Sequence, residues 1–259
     1  MSVLLMRLTG PLQSWGSAAR FVRRTTENAP TKSGVLGLLA AAQGRGREAG
    51  LSDLAELEFG VRVDQPGTRL RDFQTAHHGD TDKAMPLSER FYLADAVFVA
   101  GVRGEPALVQ RLYEALLEPV FLPYLGRRSC PPSEPITIGE PLVGEETDLE
   151  RALREATWEA SERYRARCRA SYRRAGRPLS DMCLDLLLDC ARPGDSSEGA
   201  HMTLRDLPVS FDPRHRRYGL RGVRTLRIPV PGAAGSPTAE APPHHEPTAL
   251  LTPVTPRTD

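Results

Sequence analysis

An apolar run with no polar face sets the strongest constraint on this chain. Val35-Leu36-Gly37-Leu38-Leu39-Ala40-Ala41-Ala42 follows Pro30-Thr31-Lys32-Ser33-Gly34, so a helix starting here is apolar on all sides. Such a helix suits burial against a sheet. Gly34 and Gly37 each lower helix propensity by about 1 kcal/mol relative to alanine, which is tolerated where something packs close. Upstream, Leu4, Met6 and Leu8 alternate with Val3, Leu5 and Arg7 over residues 2–8, a short strand with one nearly dry face. A strand therefore feeds a loop, and the loop ends at a helix N-terminus flanked by a lysine and hydroxyls. Unpaired N–H groups and the positive dipole end there favour an anion. A plain helix capped by Thr31 or Ser33 accounts for the same residues.

Thr31-Lys32-Ser33 is not a mononucleotide loop. That motif needs glycine directly before the lysine and again five positions further back. Those positions hold Thr31 and Thr26. A phosphate bound here belongs to some other molecule, and the charge distribution is compatible with a nucleic acid. Net charge is only +1, yet residues 1–47 carry a single acid, Glu27, against Arg7, Arg20, Arg23, Arg24, Lys32, Arg45 and Arg47. Further basic clusters span 163–177 and 214–227, while acids gather in 140–150. A neutral protein can thus present a basic face. The bias has a second source: Lys32 and Lys83 are the only lysines, and arginine excess of this kind also follows from a GC-rich genome.

Apolar residues make up 40% and charged residues 26% of the 259, as in a globular protein with a real core. No stretch approaches the roughly 18 apolar residues of a membrane span, so a cytoplasmic protein with no membrane partner is expected. Cys130, Cys168, Cys183 and Cys190 lack metal spacing and read as reduced thiols, with no metal or cofactor implied.

Along the chain, the pattern predicts a short helix at 51–57 and a strand carrying Phe59, Val61 and Val63. A turn at 64–67 precedes a strand at 70–75. After a polar segment at 76–90 comes a long apolar strand at 92–102, placed centrally. A helix from Glu105 carries the stripe Leu108, Leu112, Ala115 and Leu116 and ends before Pro119. With one more strand near Ile136 and Ile138, the order matches a ferredoxin-like β-α-β-β-α-β unit within an α+β fold. The additional strands at 70–102 form a projecting hairpin. Residues 149–158 predict a helix. Arg163, Arg165, Arg167 and Arg169 alternate with Tyr164, Ala166, Cys168 and Ala170, a strand with one basic face. Residues 183–190 predict another strand, whose Asp185 and Asp189 can face those arginines or a ligand. Three parts follow: 1–139, a smaller β-rich part at 140–228, and a proline-rich tail at 229–259, expected to be disordered.

Two further groups carry chemistry. Leu125-Gly126-Arg127-Arg128-Ser129-Cys130-Pro131-Pro132 joins a flexible glycine to two forked donors and a rigid exit; it is either a phosphodiester clamp or an ordinary basic loop. His77 and His78, near Asp72, Asp80 and Lys83, offer a candidate general base to a metal-independent ribonuclease, although adjacent histidines on a polar loop are more often bystanders.

Taken together, Gly10-Pro11-Leu12-Gln13-Ser14-Trp15-Gly16, Pro30-Thr31-Lys32-Ser33-Gly34, Leu70-Arg71-Asp72-Phe73-Gln74-Thr75, Tyr92-Leu93-Ala94-Asp95-Ala96 and Tyr124-Leu125-Gly126-Arg127-Arg128-Ser129-Cys130-Pro131 resemble the CasD family, the RNA-binding subunit of the type I-E CRISPR Cascade complex. The resemblance covers residues 3–222 and thins after Gly139. It implies a fold of the repeat-associated (RAMP) type and a non-catalytic protein that grips the 5′ handle of the guide RNA (crRNA) and caps the complex. It further implies RNA contacts at Gln13, Trp15, Arg20, Arg24, Lys32, Ser33, Arg71, Gln74, Arg127, Arg128 and Ser129. Residues 74–91 become a thumb, with His77, Lys83, Met85 and Arg90, that meets the CasC backbone subunit. The CasA large subunit docks nearby, and target DNA is met indirectly through the complex. At position 74 family members often carry histidine. Glutamine there can hydrogen-bond RNA but cannot shuttle protons near neutral pH, which favours binding over the alternative of repeat-RNA cleavage.

Overall fold

The computed structural model describes residues 1–16, 23–144, 147–190, 199–212 and 214–232. Its elements, in chain order, are β1 (Ser2–Thr9), β2 (Leu12–Gln13), β3 (Arg23–Arg24), α1 (Lys32–Ala42), α2 (Ser52–Ala55), β4 (Glu58–Gln65), β5 (Thr68–Gln74), β6 (Ser88–Ala94), β7 (Val97–Gly104), α3 (Pro106–Leu117), β8 (Leu142–Val143), α4 (Leu149–Glu155), α5 (Glu162–Arg174), a 3-10 turn at Leu179–Asp181, β9 (Cys183–Cys190), β10 (Ala200–Ser210) and β11 (Arg217–Pro229).

The alternation in β1 becomes two cores. Leu4, Met6 and Leu8 face α1 and α3, while Val3 and Leu5 face α4 and α5. A seven-stranded antiparallel sheet, in the order β10-β11-β9-β4-β7-β1-β8, separates these two layers. α1 is capped by Thr31, whose Oγ1 accepts from the Gly34 amide at 3.2 Å, and it is buried along its length as its composition requires. α3 starts on the Glu105 cap with Pro106 in its first turn and buries Leu108, Val109 and Leu112. Between β4 and the layer of α4, Arg62 and Asp64 form a fully buried bidentate pair. Arg62 also donates to the Leu153, Ala156 and Thr157 carbonyls, so it anchors the chain that follows α4. Burial pushes the Asp64 carboxyl up, against the pull of Arg62.

Four expectations need correction. The apolar stretch 92–102 is two strands, because Asp95 turns the chain at φ +55°. β7 is central, between β1 and β4, while β6 leaves for a second sheet with β2, β3 and β5. The strand expected near Ile136 and Ile138 shrinks to a bridge between Met6 and Thr137, followed by the two-residue β8 beside β1. The basic segment expected as a strand at 163–170 is helix α5. Ser161 caps it, and Tyr164, Cys168 and Tyr172, spaced by four, pack on the second core. β9 accordingly pairs with β4 and β11, placing Asp185 opposite Arg227. Finally, Pro229 still belongs to β11 and Val230 is buried; only from residue 233 does the expected tail lie outside the described residues.

The β5–β6 pair is a long antiparallel hairpin, in register from Thr68 opposite Ala94 to Gln74 opposite Ser88. Its end, residues 75–87, is almost wholly exposed.

Candidate nucleic-acid interface

The loop after β1 is built inward. Gln13 is fully buried: its Nε2 donates to the Leu8 and Ala96 carbonyls at 3.0 and 2.8 Å, and its Oε1 accepts from Trp15 Nε1 at 3.1 Å. Trp15, also buried, lies flat on Gly34, where a Cβ would come within 2.7 Å of its ring. Close approach of this kind explains the glycine in the first turn of α1. Both residues were expected to touch RNA. In the structure their polar side-chain atoms are satisfied by protein and they hold the loop against α1; Gln13 does not line the cleft over α1, whereas Trp15 does.

Lys32 is likewise engaged by protein. Its ammonium is buried, 2.8 Å from Asp189 Oδ2 and 2.6 Å from the Leu57 carbonyl. Its backbone amide donates to Asp206 Oδ2 at 2.8 Å. Asp206 and Asp189 are both held by Arg221, which reaches across from β11. The anion at the start of α1 is therefore a carboxylate of the chain itself, supplied by a strand far away in sequence. Ser33, the next residue, does border the open surface.

That surface is a cleft of about 1010 Å³ running over α1. One wall is the segment 121–131. The Ser14 amide donates to the Leu125 carbonyl at 3.1 Å, and Gly126 sits at φ +83° so close to Ser14 that a Cβ would lie 1.8 Å from its carbonyl oxygen. The loop turns tightly, with the Cys130 amide on the Arg127 carbonyl at 2.9 Å, and presents Arg127 and Arg128 to the cleft, whereas the exposed Ser129 is not part of its lining. Arg127 stacks on Tyr92, 4.6 Å from the ring centre, and its Nη2 donates to the Arg24 carbonyl at 2.9 Å. Its Nη1 has no acceptor among the described residues.

Six arginines line the cleft: Arg24, Arg45, Arg47, Arg127, Arg128 and Arg216; no carboxylate lines it among the described residues. Arg45 is engaged by Asp53 in a bidentate pair, and the Arg45 guanidinium holds the Asp53 carboxyl below the usual carboxylate range. The other five keep donors for a ligand. Phe121, Tyr124, Phe211 and Tyr218 add aromatic faces. Arg45, Arg47, Arg216 and these aromatics were missed as contacts. Arg45-Gly46-Arg47 directly after the apolar helix was a local signal; the approach of residues 211–218 to α1 was not.

The remaining expected contacts lie elsewhere. Arg71 pairs with Glu89 and stacks on Phe73, and Gln74 donates to Asp72 at 2.8 Å; all are on the hairpin, outside the cleft lining. His77 Nδ1 lies 2.9 Å from the Asp82 carbonyl and 3.2 Å from its carboxylate, and His78 accepts from the Asp80 amide at 3.3 Å. Lys83 and Met85 are exposed near the hairpin end, and Arg90 is half-buried on β6. Arg20 lies outside the described residues.

Comparison with known proteins agrees along most of the chain. The family model described as CRISPR-associated protein (Cas_Cas5) matches residues 3–224. Over 158 residues, the chain is 36% identical to CRISPR system Cascade subunit CasD of Escherichia coli (strain K12), covering 53% of this chain and 70% of that protein. A crystal structure of a Cas protein superposes with a TM-score of 0.63 at 37% identity, over 88% of this chain and 97% of the other. A chain of a CRISPR RNA-guided surveillance complex gives 0.67 at 32% identity, over 89% and 92%.

Proposed function

Since the chain belongs to the Cas5 family of CRISPR-associated proteins, we propose that it is the CasD-type subunit of a Cascade complex and grips the 5′ handle of the guide RNA. The observation that carries this reading is the cleft over α1, with its six arginines and aromatic faces. Single-stranded RNA is held by phosphate contacts together with bases stacked on aromatic or guanidinium planes. The cleft offers both within one groove, and the Gly126 turn sets Arg127 and Arg128 at its rim. Arg24, Ser33, Arg127 and Arg128 remain in the proposed contact set, joined by Arg47 and Arg216. Gln13, Trp15 and Lys32 support the groove from below.

We read β8-β1-β7-β4, with α1 and α3 crossing one face, as a ferredoxin-like unit, and β5–β6 as a thumb that meets a CasC-type backbone subunit beside a CasA-type large subunit. Leu70, Phe73, Met85 and Leu87 are large apolar side chains left exposed on this hairpin, as a partner surface requires. Arg71 and Gln74, on the same hairpin, would meet RNA only where the guide passes the thumb. Four free cysteines suit the reducing cytoplasm. A binder is preferred to a ribonuclease because His77 and His78 are engaged by their own loop and neither lines the cleft.

The test is a titration of repeat-derived RNA with the full chain. Arg127→Ala with Arg128→Ala is expected to weaken binding at least 10-fold, as two charge-assisted contacts of about 1.5–3 kcal/mol before partial compensation would give. Unchanged affinity at physiological salt would overturn the assignment of this cleft.

A further inference from the structure

The arginines of α5 play no part in the cleft. The helix packs on the sheet face opposite α1, through Tyr164, Cys168 and Tyr172. Of its six arginines, Arg165 and Arg169 pair with Glu162, the only acid in the helix. Arg163, Arg167, Arg173 and Arg174 are exposed and have no carboxylate partner among the described residues. The neighbouring α4 behaves differently: Arg151 pairs with Glu155 and Arg154 with Glu150. A merely arginine-rich composition would leave α5 as well matched as α4.

At 100° per residue, Arg163, Arg167 and Arg174 fall on one line about 120° round the helix from the core stripe, and Arg173 lies about 100° from that line on the far side of Ala166 and Ala170. The line is about 16 Å long, a length over which roughly ten phosphates of a duplex are presented. Ala166 and Ala170 lie on the same outward side, so a polyanion can approach the helix closely. No aromatic ring is offered for stacking: Tyr164 and Tyr172 are half-buried, and Arg167 and Arg177 lie over their rings at 5.1 and 5.3 Å. Charge without a stacking platform fits a duplex read through its backbone, not a single strand. We propose that α5 is a second nucleic-acid surface, which takes the phosphate backbone of double-stranded DNA while the opposite face holds its own ligand.

The proposal is tested with the full chain, saturated with repeat-derived RNA, and a labelled DNA duplex of about 20 base pairs and mixed sequence at about 100 mM salt. Arg163, Arg167, Arg173 and Arg174 all changed to Gln should bind the duplex at least 10-fold more weakly. The log–log salt slope should be shallower by about 3, with RNA affinity unchanged. The four-lysine version, which keeps the charge, should retain duplex binding. Displacement of the duplex by RNA, equal duplex affinity of the glutamine variant, or loss of binding in the lysine variant would overturn it. The Arg127/Arg128 variant separates the two proposals: it should keep duplex binding whether or not the cleft is the RNA site.

Discussion

Lys32 occupies a position where a lysine commonly meets an external phosphate, at the start of a helix and beside two hydroxyls. Its ammonium instead closes a buried network with Asp189, the Leu57 carbonyl and, through Asp189 and Asp206, Arg221. Removing one member of such a network leaves charge uncompensated in low dielectric. Lys32→Met is therefore expected to lower unfolding stability by about 2–3 kcal/mol, below the full cost of a broken buried pair because Asp189 keeps Arg221. Urea denaturation of the RNA-free chain checks this. A variant of unchanged stability that had lost only RNA affinity would return Lys32 to the cleft. The hydroxyls and lysine were legible at residues 31–33; their partners were not, since Asp189 and Asp206 lie more than 150 positions away.

At the scale of elements, α1, β1, β4 and α3 were legible because their apolar residues run without a competing period, whether one face or both are buried, and the helix caps are local. α5 was misread because two periods overlap in it. The arginines repeat every second residue from 163 to 169, as on a strand, but Tyr164, Cys168 and Tyr172 repeat every fourth, and it is the apolar set that must be buried. The β5–β6 hairpin shows the converse: its strands are regular, yet most of β5 is exposed, so it adds little to either core. Replacing residues 75–87 by Asn-Gly, a good two-residue turn closing the Gln74–Ser88 pair, should therefore lower the melting temperature by less than about 4 °C. The same change should abolish copurification with the backbone subunit if the hairpin is a thumb. A large loss of stability would show instead that the hairpin tip supports the fold.

For the whole molecule, a net charge of +1 conceals a strongly polar distribution. Five cleft arginines, Arg24, Arg47, Arg127, Arg128 and Arg216, are not paired with a carboxylate among the described residues. If all meet phosphates of a single strand, the log–log salt slope for RNA binding should be about −3.5, a roughly 100-fold loss of affinity between 50 and 200 mM salt. A slope near zero would mean that the arginines face solvent, not RNA. Local pattern alone determined the strand at β1, the all-round apolar character of α1 and the start of α3 at Glu105, because each depends on neighbours within a few residues. Only tertiary structure decided which cations face a ligand. β11 carried Arg221 into the core and beside Lys32, while the chain around residues 211–218 brought Arg216, Phe211 and Tyr218 to the rim of a cleft whose other wall lies about a hundred positions earlier. Residue type sets what a guanidinium can bind; whether an acid of the same chain reaches it first is settled by packing between distant segments.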